Sequence, residues 1–146
     1  MNERDFLALA SRLAAGSAEA EWRTAVSRAY YAAFHAARRL LSELGFRVPR
    51  ADRAHSYLFL RLQNCGEPAV QQAGIALTHL RQTRNHADYD LHRSFTQPSA
   101  RDQVQISERI LLSLDAARMD PVRTRITTAI RDYERNVLKD VTWQGP

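Results

Sequence analysis

SAEAEWRTAVSRAYYAAFHAARRLLSELG, residues 17–45, is the stretch on which the reading of the fold rests. Within it Val26, Tyr30, Ala33, Ala37, Leu40 and Leu44 recur at alternating spacings of four and three, the period of one helical face. Trp22, Ala25, Ala29, Ala32 and Ala36 form a second stripe beside the first, and it is mostly alanine. Ser17 stands where a cap is expected, Glu19 and Glu21 suit the positive end of a helix, and Gly45 can close the other end. A helix that is apolar around so much of its circumference belongs at the centre of a fold. Its small residues let a neighbouring helix approach closely, whether that neighbour comes from the same chain or from a second copy.

Working outward, Gly16, Gly66, Pro68, Pro98 and Pro121 divide the rest of the chain into further helical segments. The spacing predicts six helices, at roughly 2–15, 18–44, 51–64, 68–91, 99–118 and 121–139. Pro68 fits the first turn of its helix, where a missing N–H costs nothing. Val70, Ala73, Leu77, Leu80, Arg84, Ala87 and Leu91 then form its apolar stripe, with one arginine among them. Asp120-Pro121 opens the last helix, whose apolar side is Ile126, Ile130, Tyr133 and Val137. Few runs show the β-branched alternation that strands require. Short links between long helices predict an all-α fold, an up-and-down antiparallel bundle of four core helices with one or two extra helices. A single domain over 1–146 is expected, its core at about 5–118 and its C-terminal helix at 121–139.

Composition narrows the function classes. The chain has 146 residues, 45% hydrophobic and 25% charged, which is ordinary for a folded domain and unlike a disordered one. No run approaches the roughly 18 apolar residues that a membrane span needs. The charged opening, Met1-Asn2-Glu3-Arg4-Asp5, has no signal-type character, and the lone Cys65 suits a reducing compartment. A cytoplasmic protein is therefore expected. The net charge of +5 and a pI near 10 invite a polyanion, and every basic residue but Lys139 is arginine. Those arginines are spread along the chain, so compositional bias explains them as well as nucleic-acid binding does.

His35, His55, His79, His86 and His92 are scattered, and neither HExxH nor paired Cys/His spacing is present, so no metal site is expected. Glycine-rich phosphate loops are missing too, and no cofactor is implied. Two residues stand out instead. Arg84 lies on the core-facing stripe and needs a partner. Asp88, about 40° round the helix, can provide one. That pair either fixes helix register inside the bundle or leaves Arg84 to hold a phosphate in a groove. His86 follows Arg81 at a distance of five residues, and a histidine base with an arginine to stabilise phosphorane charge suffices for metal-free RNA cleavage. Five residues, however, set the two side chains about 140° apart on one helix, so a symmetric dimer would be needed to assemble them. The alternative for His86 is a plain surface histidine.

Ser27-Arg28-Ala29-Tyr30-Tyr31-Ala32-Ala33-Phe34-His35-Ala36-Ala37, then Ala54-His55-Ser56, then Arg84-Asn85-His86-Ala87-Asp88-Tyr89-Asp90 resemble the HEPN superfamily. The likeness is to its small stand-alone prokaryotic members and spans about residues 5–118. It implies a helical bundle, commonly a homodimer, often paired with a minimal nucleotidyltransferase that can serve as antitoxin. It also implies toxin–antitoxin function and, in many members, metal-independent ribonuclease activity through an Arg-x(4–6)-His motif. Arg81 and His86 match that spacing. A competing alignment starts at Arg84-Asn85 and puts Tyr89 in the histidine slot. Under the first, Arg81 or Arg84 and His86 are catalytic. Under the second, Arg84, Asn85, Asp88 and Tyr89 form a non-catalytic groove that binds a nucleotide or docks the nucleotidyltransferase; RNA or a nucleotide is the expected ligand of the protein in either case. In some nucleotidyltransferase-paired members a tyrosine near the motif histidine accepts AMP, which is a role open to Tyr89. Packing at the bundle edge is the plainer one.

Overall fold

Each expected helix is present in the computed structural model, which describes residues 1–146. The helices are α1 (Glu3–Ala14), α2 (Glu19–Leu44), α3 (Arg53–Gln63), α4 (Pro68–Tyr89), α5 (Gln97–Ala116) and α6 (Val122–Tyr133). A π-helical turn, Glu134–Leu138, extends α6. The fold is all-α, and its only extended pairing is one antiparallel bridge between Phe46 and Trp143. No helix is long and apolar enough to cross a membrane.

The boundaries follow from local chemistry. Asn2 and Asp5 close a reciprocal capping box at the start of α1. The start of α2 differs from expectation: the helix begins at Glu19, Ala18 flanks it, and Ser17 lies outside, exposed. At its other end Gly45 takes φ +105°, and a Cβ there would sit 2.5 Å from the carbonyl carbon of Gly145. Glycine is therefore required twice over, by conformation and by space. The side chain of Asp120 accepts from the Thr124 amide at 3.0 Å and its hydroxyl at 2.6 Å, which satisfies a donor in the first turn of α6.

The chain divides into two compact units. The first holds Met1–His35 and Ala76–Leu111, that is α1, the N-terminal part of α2, the C-terminal part of α4 and most of α5. Ala25, Ala29, Ala32 and Ala33 are fully buried there beside Val26, Leu77 and Leu80. The small residues allow close approach: Ser107 of α5 donates at 2.7 Å to the carbonyl of Ala29 on α2.

The second unit holds Ala36–Ile75 and Leu112–Pro146. Its buried side chains include Leu40, Leu41, Leu58, Leu62, Leu114, Ile126 and Ile130. Gln63 and Gln71 exchange amide-to-carbonyl hydrogen bonds of 2.8 and 2.9 Å and clamp the turn between α3 and α4. The last residues, unassigned by periodicity, are fixed by polar contacts. Trp143 Nε1 donates to the Leu44 carbonyl at 2.9 Å, and the Gln144 amide to that of Gly45 at 2.8 Å. Together they satisfy acceptors that the end of α2 would otherwise leave open.

Candidate functional site

Helical spacing sets Ser27, Tyr30, Tyr31, Phe34 and His35 along one side of α2, and Arg84, Asp88 and Tyr89 on the last turns of α4. Within the first unit these two groups meet. Arg84 donates through Nε to Asp88 Oδ2 at 3.0 Å, through Nη1 to Asn85 Oδ1 at 3.1 Å, and through Nη2 to the Tyr31 hydroxyl at 3.0 Å. Its guanidinium carbon lies 5.3–5.7 Å from the ring centroids of Tyr30, Tyr31 and Tyr89, within cation–π range. Asp88 also accepts from Ser27 Oγ at 3.3 Å, and Arg28 in turn donates to Ser27. Arg28 continues the cluster, with its guanidinium 5.2 Å from the Phe6 ring and 5.0 Å from that of Tyr31. His35 stacks on Phe6 at 5.8 Å and on Tyr31 at 6.2 Å.

Arg84 and Asp88 therefore pair as expected, but at the edge of the helices and not inside them. Their side chains are 17% and 27% exposed. Around Arg84 stand Asn85, Asp88 and Tyr89 of the last turns of α4 and Tyr30 and Tyr31 of α2. Tyr89 is left 74% exposed over this network.

Arg81 and His86 lie apart. His86 is half-exposed, with Arg93 Nη1 3.3 Å from its Nδ1 and Asp90 Oδ2 3.9 Å from the same nitrogen. It borders a cavity of about 320 Å³ that Arg93, Ser94, Thr96 and Asp102 also line. Arg81, half-buried, does not line that cavity. So the structure gathers Arg84, Asn85, Asp88 and Tyr89 and leaves Arg81 and His86 on separate faces, as the angle of about 140° between them requires.

Sequence reasoning missed Arg23. This buried arginine donates from Nη1 to the carbonyls of His86 (3.3 Å), Ala87 (2.9 Å) and Asp90 (3.1 Å), and from Nη2 to that of Arg93. It thereby caps the negative end of α4 and ties down the loop carrying Arg93 and Phe95. Glu19 holds the guanidinium from the other side at 3.0 Å. Hydrogen bonds from Arg23 and from the Phe95 amide keep the Glu19 carboxyl below its ordinary pKa. The only local signal was the four-residue spacing of Glu19 and Arg23.

An all-α chain with an arginine–aromatic cluster at the junction of its second and fourth helices is the class that these observations define. The sequence model of the HEPN domain matches residues 4–116, and the chain belongs to the HEPN family. No match was found among curated proteins or among solved structures. No group of three or more His, Cys, Asp or Glu side chains is gathered as a metal site.

Proposed function

We propose that this HEPN protein is a binding module, and that its arginine–aromatic cluster takes up bases of single-stranded RNA or of a nucleotide. The observation that carries this reading is the state of Arg84. Each nitrogen of its guanidinium already donates within the chain, while the Tyr89 ring beside it faces solvent. A phosphate would compete with Asp88, Asn85 and Tyr31 for this guanidinium, whereas a base can stack on Tyr89 with nothing displaced. Base stacking on an aromatic face tolerates any sequence and contributes about 1–3 kcal/mol per base. A cation held under the ring fixes its position at little further entropic cost. The family supports the setting: a homodimer in a toxin–antitoxin or nucleotidyltransferase-linked system, with the partner enzyme as the protein ligand.

One observation favours a second reading, metal-independent ribonuclease. His86 has the Asp90 carboxylate at 3.9 Å and Arg93 at 3.3 Å, and His86 and Arg93 line one cavity. Here Arg93, not Arg81, is the cation nearest the histidine. In either reading His86→Ala should leave the melting temperature unchanged, since an exposed imidazole carries little packing.

One experiment separates the two. Labelled single-stranded RNA is incubated with the protein in EDTA, and binding is followed by anisotropy and cleavage on a gel. The binding reading expects retention without cleavage, a loss of roughly ten- to a hundredfold in affinity for Tyr89→Ala, as its stacking energy converts, and no effect of His86→Ala. Cleavage by the wild type that His86→Ala abolishes would replace it with the ribonuclease reading.

A further inference from the structure

The second unit contains a cavity of about 380 Å³ to which Arg47, Arg53 and Arg61 all contribute, with Tyr57, Asp140 and Thr142. The three arginines are held very differently. Arg61 is 2% exposed, and its Nε donates to the fully buried Glu134 at 2.7 Å. Its guanidinium lies 3.5 Å from the Tyr57 ring centroid, and Nη1 reaches the Tyr57 carbonyl at 3.4 Å. Nη2, by contrast, is buried with no hydrogen-bond partner. The Asp140 carboxylate lies 3.8 Å from it, on a side chain 69% exposed. Buried donors without acceptors are rare in native proteins, and this one belongs to a residue that lines the cavity, where a ligand oxygen could satisfy it. Arg47 and Arg53 are exposed and use no side-chain nitrogen within the chain.

Two unspent guanidiniums at the mouth and one unpaired donor at the base describe an anion with several acceptor oxygens. Glu134 neutralises part of Arg61, so a single negative charge gains little, while a dianion can engage Arg47 and Arg53 as well. A phosphate monoester, a dianion with three free oxygens, meets that description better than a diester within a continuing strand, which carries one negative charge.

We propose that this cavity binds a phosphate monoester, with Arg61 Nη2 as the inner donor and Arg47 and Arg53 as the outer ones. Asp140 occupies the entrance in the empty state and turns outward when the phosphate enters. The proposal uses none of the residues of the α2–α4 cluster and stands without the reading given to them.

The test is calorimetric titration of the full chain with inorganic phosphate, adenosine monophosphate and adenosine, at matched ionic strength. 5′-Phosphorylated and 5′-hydroxyl forms of one short RNA follow. Phosphate and the monophosphate should bind and adenosine should not. If the phosphorylated RNA binds more tightly than free phosphate, the natural source is an RNA end; if it binds no more tightly, the source is a small phosphate ester. Arg53→Gln and Arg47→Gln alter exposed residues and should each weaken binding roughly tenfold, the loss of one charge-assisted hydrogen bond. Asp140→Asn should tighten it, because the competing carboxylate is gone. Arg101→Gln, at an exposed arginine that is not part of the lining, should change nothing. No heat with phosphate, equal loss in Arg101→Gln, or unchanged affinity in Asp140→Asn would each overturn the proposal.

Discussion

Replacing Arg84 by methionine tests the arginine–aromatic cluster, because methionine keeps most of the stem and removes the charge and every donor. The lost contacts are an ion pair of 3.0 Å to Asp88 and partly exposed hydrogen bonds from the guanidinium of 3.0 and 3.1 Å to the uncharged acceptors of Tyr31 and Asn85. A hydrogen bond to a charged group contributes about 1.5–3 kcal/mol when shielded, and an exposed pair four residues apart about 0.3–0.5. With side chains 17% and 27% exposed, this pair belongs between those limits. Adding roughly 1 kcal/mol for the Tyr31 bond, and allowing for non-additivity within one network, the expected loss is about 2 kcal/mol. In a domain of this size that is a fall of about 4–8 °C in melting temperature. The measurement is urea denaturation of Arg84→Met, Asp88→Asn and the double variant, compared as a cycle. A single-variant loss below about 0.5 kcal/mol would mean that solvent already screens the network, and one above about 4 kcal/mol would mean a truly buried pair. Either result refutes the edge-of-bundle account.

Glu134→Gln should be more severe, about 3–5 kcal/mol, because it leaves Arg61 charged and buried without its counterion. The same urea curves check it, and the paired change Arg61→Met with Glu134→Leu should recover the part due to the unpaired charge but not the part due to the Thr142 and Trp143 amides that Glu134 accepts from. Acid should destabilise the fold through Glu43 and Glu19. Burial raises the Glu43 carboxyl, but hydrogen bonds from Arg39 and Arg118 outweigh it and leave the pKa lowered; that of Glu19 is lowered by Arg23 and the Phe95 amide. Lowered values mean a contribution that is complete above the ordinary glutamate value near 4.5 and is lost as pH falls below it through the folded-state values. Melting temperatures recorded downward from pH 6 should therefore drop below about 4.5, and less steeply in Glu43→Gln.

How much of this was legible in the sequence follows from what each feature depends on. Helix positions depend on apolar period and on breakers, both local, and α2 and α4 fall within two residues of the expected spans. The last helix shows the limit. Its period continues to Val137, yet α-helical geometry ends at Tyr133 and a π turn follows. The cause is distant: Glu134 is drawn to Arg61, 73 residues earlier, and its carboxylate also accepts from the Thr142 and Trp143 amides. A contact of that separation leaves no periodic trace. The same holds for the end of the chain, where Thr142, Trp143 and Gln144 read as a plain tail but bond to Arg47, Leu44 and Gly45.

The candidate site divides along the same line. Arg84 and Asp88 are four residues apart on one helix, so their pairing could be read directly. Tyr31 could not be placed against Arg84, since the two are 53 residues apart and only packing joins them. Arg81 and His86 satisfy a family spacing along the chain, but spacing along a helix is also an angle, and theirs points them apart.

The arginine content was the most ambiguous signal, and the structure explains why. Arg23, Arg38, Arg61 and Arg123 all donate to main-chain carbonyls, and Arg118 holds Glu43 through two nitrogens at 2.8 and 3.0 Å. In this chain the guanidinium is first a connector: a planar fork with five donors that closes helix ends and loops. Net charge counts such arginines as if they faced a polyanion, although their hydrogen bonds are already committed. What bears on ligand binding is the remainder, the guanidiniums with donors still unspent. By that criterion Arg47, Arg53 and the buried Nη2 of Arg61 are the stronger anion-binding candidates. Arg84, which the sequence pattern singles out, already donates to Asp88, Asn85 and Tyr31, and in the function proposed above its part is to hold Tyr89 in place.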